Sequence, residues 1–122
     1  MKLSSKGKLL RIFLGGLDKV GHKPLYEVLV MRARDMGLAG ATVLRSVEGY
    51  GVGTQVIHTA KILRLSEDLP IVVELVDTEE NIKRFLPIVN ELFEKVDCGG
   101  MVTIENAEMI KHVHGSQSTQ KI

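Results

Sequence analysis

The chain has 122 residues and a mass of 13.5 kDa, the size of one ordinary domain. A domain of this length buries roughly two-thirds of its unfolded surface, and with 44% hydrophobic and 25% charged residues the chain is not a disordered one. Sixteen Lys+Arg against fifteen Asp+Glu leave a net charge of +1, so no overall positive field gathers polyanions and nonspecific nucleic-acid binding is disfavoured.

From the N-terminus, Lys8 to Leu14 is short and apolar and ends at Gly15-Gly16, which reads as a strand. The apolar stretch Leu9 to Leu17 is broken by Arg11 and the glycines, and no A-x-A site follows. It reads neither as a membrane span nor as a signal peptide. A loop, LDKVGHK, leads to Pro24, which suits the first turn of a helix. Leu25, Val28, Leu29, Arg32, Ala33 and Met36 recur at helical spacing, and Gly37 is the natural stop. A second strand is expected over Ala41 to Val47.

Residues 48–66 show no clear period and read as a long loop, with Gly49, Gly51 and Gly53 at its base. Leu69 to Val76 is rich in β-branched residues and is the strongest predicted strand. Asp77 with Glu80 has the spacing of a capping box. Ile82, Phe85, Leu86, Val89, Leu92, Phe93 and Val96 then follow a helical period, with Pro87 inside it predicting a kink or two abutting segments. Cys98-Gly99-Gly100 turns into a last strand, Met101 to about Met109. Residues 1–114 are read as a single domain and the polar 115–122 as a disordered tail.

The order β-α-β, loop, β-α-β predicts an α+β fold: a ferredoxin-like βαββαβ sandwich, with a four-stranded antiparallel sheet and two helices on one face. The other face should then be polar, yet both faces of the first and third strands are apolar. Leu10, Ile12 and Leu14 oppose Leu9, Arg11 and Phe13, and Ile71, Val73 and Leu75 oppose Val72, Glu74 and Val76. An uncovered apolar sheet face needs another chain, which predicts a closed homo-oligomer, most simply a ring of three.

The single cysteine, Cys98, excludes an internal disulfide framework and suits a reducing cytosol, so a cytoplasmic location is expected. Charge is unevenly spread: residues 1–45 carry nine basic and three acidic residues, and the remainder seven and twelve. Two solvated faces of opposite sign explain this, as does a basic patch facing an anionic ligand across a subunit boundary. The spaced glycines fit neither a dinucleotide fingerprint, which needs glycine where Thr54 stands, nor a P-loop, which needs Gly-Lys-Ser/Thr. By spacing they are a flexible loop base or a ligand cradle.

The segment GLAGATVLRSVEGYG resembles the second-strand segment of the nitrogen-regulatory PII signalling proteins at Gly37, Gly40, Thr42, Val43, Val47, Gly49, Tyr50 and Gly51. The chain as a whole is similar to a PII-like signalling family of unknown function, through LLRIFLGGLDK, HKPLYE, GLAGATVLR, EGYG, IHTAKILRLSEDLP and IVVELVDTEE. The resemblance implies a ferredoxin-like homotrimer that binds adenine nucleotide in clefts between subunits and is not an enzyme. It also implies a central loop, residues 50–66, presented to a protein partner; a transporter is one kind of partner that PII proteins contact.

Residue by residue, the resemblance places Gly40, Thr42, Gly49, Tyr50, Gly51 and Val76 around the adenine. It places the turn Cys98, Gly99 and Gly100 at the phosphates, with Lys111 and His112 as outer clamps where PII proteins carry arginines. Imidazole is a weaker anion partner than guanidinium, so AMP or ADP is expected rather than ATP. No cofactor is required, and no catalytic or metal-binding residue is assigned: His112 and His114 could begin a metal site, but a third ligand is not evident.

Arg11 and Arg45 are candidates for a phosphate at a subunit boundary or for structural ion pairs. The alternative function is a small enzyme acting on a phosphorylated or anionic substrate in the same cleft, which has only Cys98, Glu48 and scattered histidines to draw on. RNA binding on the sheet would need stacked aromatics, and the third strand has none.

Overall fold

Residues 5–51, 54–59, 69–113 and 115 are described by a computed structural model of the protein, 54–59 by their backbone only. The alternating apolar segment near the N-terminus forms β1 (Ser5–Gly15). A two-residue ribbon follows, β2 (Lys19–Val20) and β3 (Lys23–Pro24), then α1 (Leu25–Asp35), β4 (Thr42–Arg45), β5 (Glu48–Gly51) and β6 (Thr54–Thr59). The second half is β7 (Pro70–Asp77), α2 (Glu79–Val96) and β8 (Met101–Met109).

The main sheet has the order β4-β7-β1-β8, and every neighbouring pair is antiparallel. Within it β1 and β4 are separated by β7, and β7 and β8 by β1. Each β-α-β unit is thus split by a strand of the other, as the ferredoxin-like sandwich requires.

The register decides which residues meet the helices. Leu10, Ile12 and Leu14 lie opposite Leu75, Val73 and Ile71, and all six are buried. Onto them pack Leu25, Leu29 and Ala33 of α1 and Ile82, Phe85, Val89 and Leu92 of α2. The helical stripes predicted from spacing are therefore the ones that face the core.

Gly37 ends α1 as expected, with a positive φ of 81°. Its N–H donates to the Arg34 carbonyl and that of Leu38 to the Ala33 carbonyl, a Schellman motif closed by the buried pair Ala33 and Leu38.

Four local expectations are corrected. Pro24 is the N-cap of α1, one residue outside the first turn. The segment read as the loop LDKVGHK holds the β2–β3 ribbon. The 48–66 loop contains a second ribbon, β5 with β6, whose register shifts between Gly49 and Gly51. Glycines at alternate positions erased the side-chain period there, while the β-branched residues of TQVIHT favour a strand.

Lastly, the cap of α2 is Thr78, whose hydroxyl accepts from the Asn81 N–H at 3.2 Å, so Asp77 and Glu80 form no capping box. Helix α2 runs from Glu79 to Val96 with Pro87 inside it, as one helix rather than two abutting ones. Of the central loop, residues 52–53 and 60–66 lie outside the described residues, as do His114 and the tail from 116.

Candidate functional site

The residues expected around an adenylate fall into two groups at opposite ends of the sheet. Where β1 begins, Lys8 pairs with Asp77 and Leu9 with Val76, and Thr42 of β4 pairs with Glu74. Gly40 just precedes β4, while Lys111 and His112 follow β8, whose Met109 pairs with Ser5. This end holds Gly40, Thr42, Val76, Lys111 and His112.

At the other end β1 finishes opposite Pro70. Ser46 donates to the Pro70 carbonyl through both N–H and Oγ, at 3.1 and 2.7 Å, and a Cβ on Gly49 would touch the Pro70 ring at 3.5 Å. Gly100 lies against the Phe13 carbonyl. This end holds Gly49, Tyr50 and Gly51 with Cys98, Gly99 and Gly100. Along β7 the Pro70 end lies six residues from Val76, roughly 20 Å, and four residues from Glu74, the partner of Thr42, roughly 13 Å.

The glycines differ in what their missing side chain makes room for. Among the described residues an added Cβ at Gly40 or Gly51 meets nothing within 4 Å, which leaves room beside their backbones for a ligand. At Gly100 a Cβ would stand 2.5 Å from the Phe93 ring and 2.7 Å from the Phe13 carbonyl, so this glycine is demanded by packing within the chain. Gly49 has φ of 155°, a conformation side chains rarely adopt. Tyr50 is 60% exposed.

Between the two groups runs the face of the sheet that no helix covers. Leu9, Phe13, Val72 and Val76 lie on it, with Leu44 and Met101 across from Val72 and Phe13. Leu44, Val76 and Met101 are more than 40% exposed. At its centre Arg11 donates to Glu74 at 2.9 Å through Nε and to Glu105 at 3.0 Å through Nη1. Arg45 donates to the Tyr26 hydroxyl at 3.2 Å and lies 5.7 Å from that ring's centroid. Both arginines considered for a phosphate therefore have partners within the chain.

One buried charge was not anticipated as functional. Asp77 is 7% exposed. Its Oδ1 accepts from the Thr78 N–H at 2.7 Å and from Asn81 Nδ2 at 2.9 Å, and its Oδ2 from the Ala39 N–H at 2.8 Å. Burial works to raise its pKa, but these hydrogen bonds and the field of His112 outweigh burial and hold it below the usual carboxylate value.

Cys98 is the opposite case: burial first, then the charge and hydrogen bonding of Asp18, push its thiol up to about 11. Such a thiol is a poor nucleophile at neutral pH. A groove of about 450 Å³ between α2 and β8, lined by Lys83, Leu86, Pro87, Val89, Asn90 and Val102, contains none of the expected site residues. Among the described residues no three His, Cys, Asp or Glu come together as a metal site. None of the described helices is long and apolar enough to cross a membrane.

Comparison with known proteins identifies the family and the fold. Residues 7–109 match the family DUF190 (Uncharacterized ACR, COG1993). A UPF0166 protein of Aquifex aeolicus is 44% identical over 105 residues, 86% of this chain and 94% of that protein. A UPF0166 protein of Methanocaldococcus jannaschii is 36% identical over 106 residues, 87% of this chain and 94% of that protein.

Among solved structures, a putative PII-like signalling protein from Thermus thermophilus superposes with a TM-score of 0.64 at 21% identity, covering 90% of this chain and 94% of its own. CPII, a nitrogen regulatory PII-like protein from Thiomonas intermedia bound to ADP, AMP and bicarbonate, superposes with a TM-score of 0.63 at 22% identity, covering 88% and 92%. The chain belongs to the DUF190 family, and its fold is the ferredoxin-like fold of these PII-like proteins.

Proposed function

We propose that this protein is a regulatory binding protein, not an enzyme: a homotrimer that takes AMP or ADP into its inter-subunit clefts and presents residues 50–66 to a protein partner. The observation that carries the proposal is the division of the expected adenylate residues between two ends of one sheet. A single mononucleotide does not readily touch Thr42 and Val76 and also Gly51 and Gly99 of the same chain, because a run of strand roughly 13 Å long from Thr42 and roughly 20 Å from Val76 separates them. A second copy can bring them together. Head-to-tail contacts around a closed ring set one end of each chain's sheet against the other end of the next.

The uncovered apolar face supplies a reason for copies to associate. CPII, which shares the fold, carries ADP and AMP. A catalytic role has less to build on, since the lone thiol is held protonated and its neighbour Asp18 is engaged with the Gly15 N–H at 2.9 Å.

Light scattering at micromolar concentration, with calorimetry of AMP, ADP and ATP, tests the proposal. A mass of three chains and heat from AMP or ADP, stronger than from ATP, are expected. A stable monomer, or no heat from any of the three at millimolar ligand, refutes it. Ligand at 100 times its Kd should also add roughly 2.7 kcal/mol of stability.

A further inference from the structure

We infer that Asp77 is a positioning residue for the adenylate-facing segment Gly40–Thr42, acting through a clamp that α2 closes on the turn before it; the inference rests on the adenylate proposal above. The turn 37–40 carries two glycines and joins the end of α1 to β4. Left to itself such a segment is mobile, because each glycine has the most conformational freedom to lose.

The structure holds this turn on both sides. On one side Arg84 Nη2 donates to the Met36 carbonyl at 3.2 Å, and Arg84 Nη1 donates to Asn81 Oδ1 at 2.8 Å. Asn81 Nδ2 in turn donates to Asp77 at 2.9 Å. On the other side Asp77 Oδ2 takes the Ala39 N–H. The chain Met36, Arg84, Asn81, Asp77, Ala39 is thus a closed bracket, built from the end of β7 and the first turns of α2, spanning Gly37 and ending one residue before Gly40.

Chemistry makes the carboxylate the keystone. Asp77 accepts three N–H groups from three places: the turn, its own chain neighbour and the helix side chain. Only an acceptor on both of its δ positions satisfies them. Val76, beside it in sequence, is 41% exposed on the open face of the sheet. Asp77 therefore ties the segment bearing Gly40 and Thr42 to the strand bearing Val76, the three residues that must share one face of an adenylate.

An Asp77→Asn exchange keeps the shape. If the amide oxygen stays with Thr78 and Asn81, the amide nitrogen is turned toward the Ala39 N–H, donor against donor. The helix cap survives and the turn is released.

The test is calorimetry with ADP on the wild-type chain, Asp77→Asn and Arg84→Met, with amide exchange at Ala39 read by NMR. The wild type binds ADP. Asp77→Asn is expected to bind it at least about tenfold more weakly at unchanged stoichiometry, the scale of losing a hydrogen bond to a charged group. Its Ala39 amide should exchange faster while the far-UV spectrum stays the same. Arg84→Met, which removes the bonds to Met36 and Asn81 and leaves the Ala39 bond to Asp77, should weaken binding by about threefold and keeps the test open if Asp77→Asn does not fold.

A purely structural Asp77 would lower the melting temperature without moving the affinity of the folded protein. Wild-type affinity in both variants, with faster exchange at Ala39, overturns the inference. Absence of heat from the wild type instead overturns the adenylate proposal beneath it.

Discussion

The two faces of the central sheet are both apolar, and they differ in what covers them. On the helix side Leu10, Ile12, Val73 and Leu75 are at most 2% exposed beneath α1 and α2. On the other side Leu44, Val76 and Met101 stay in the open around the Arg11, Glu74 and Glu105 cluster. The same strands build both, since successive side chains point to opposite faces. One face therefore stabilises the chain and the other is available to associate chains.

Substitutions on the two faces should separate these roles. The largest effect is expected from Val72→Asp on the open face, which places a carboxylate between Phe13 and Leu44. It should reduce the proposed three-chain assembly to a single chain by light scattering, with the far-UV spectrum of a folded chain. An unchanged mass would mean that this face is not the seam.

Phe85→Ala on the covered face should do the reverse. Phe85 is fully buried, so its truncation should cost about 3–5 kcal/mol in denaturant titration without changing the number of chains in the folded species.

The carboxylate of Asp77 gives a smaller, pH-dependent effect. Its folded pKa is held below the unfolded value. The stability it contributes is therefore fully present above about pH 4, the unfolded value, and is lost as pH falls through the folded value. Denaturant midpoints of the wild type and Asp77→Asn between pH 6 and pH 2 should converge as the acid limit is approached. Parallel curves would contradict the assignment.

The smallest signal is at Cys98. With its pKa near 11, only about one thiol in a thousand is ionised at pH 8. Its reaction with a disulfide reagent should be far slower than that of free cysteine, and a normal rate would show the thiol to be open.

Most of the scaffold was legible in the sequence because it is written in local period. The stripes of α1 and α2, the Gly37 stop and the alternation of β1 and β7 are all read from neighbouring residues, and they fix the split β-α-β order. The β5–β6 ribbon was hidden because glycines at 49, 51 and 53 remove the side chains that would carry a period of two. The α2 cap was misplaced by one residue because Asp77 and Thr78 are both good capping types, and the choice between them is made by Ala39, 38 positions away.

Residues of the candidate site came from resemblance, and sequence could not divide them into two ends. That division follows from strand register, which sets Thr42 against Glu74 and Gly49 beside Pro70. The Asp77 clamp was equally out of reach, since no spacing relates Met36 and Ala39 to the first turns of α2.

The central claim is that one adenylate site needs both ends of the sheet, each from a different chain. Gly40 and Gly51 stand one at each end, and among the described residues each has nothing within 4 Å of where a Cβ would go. Gly40→Asp and Gly51→Asp should therefore fold, assemble and fail to bind ADP. Refolded together as mixed oligomers, they should regain binding at about a quarter of the seams, where the sound half of one chain meets the sound half of the next. If the mixture stays as inert as either variant while the wild type binds, the site lies within one chain and the account is wrong.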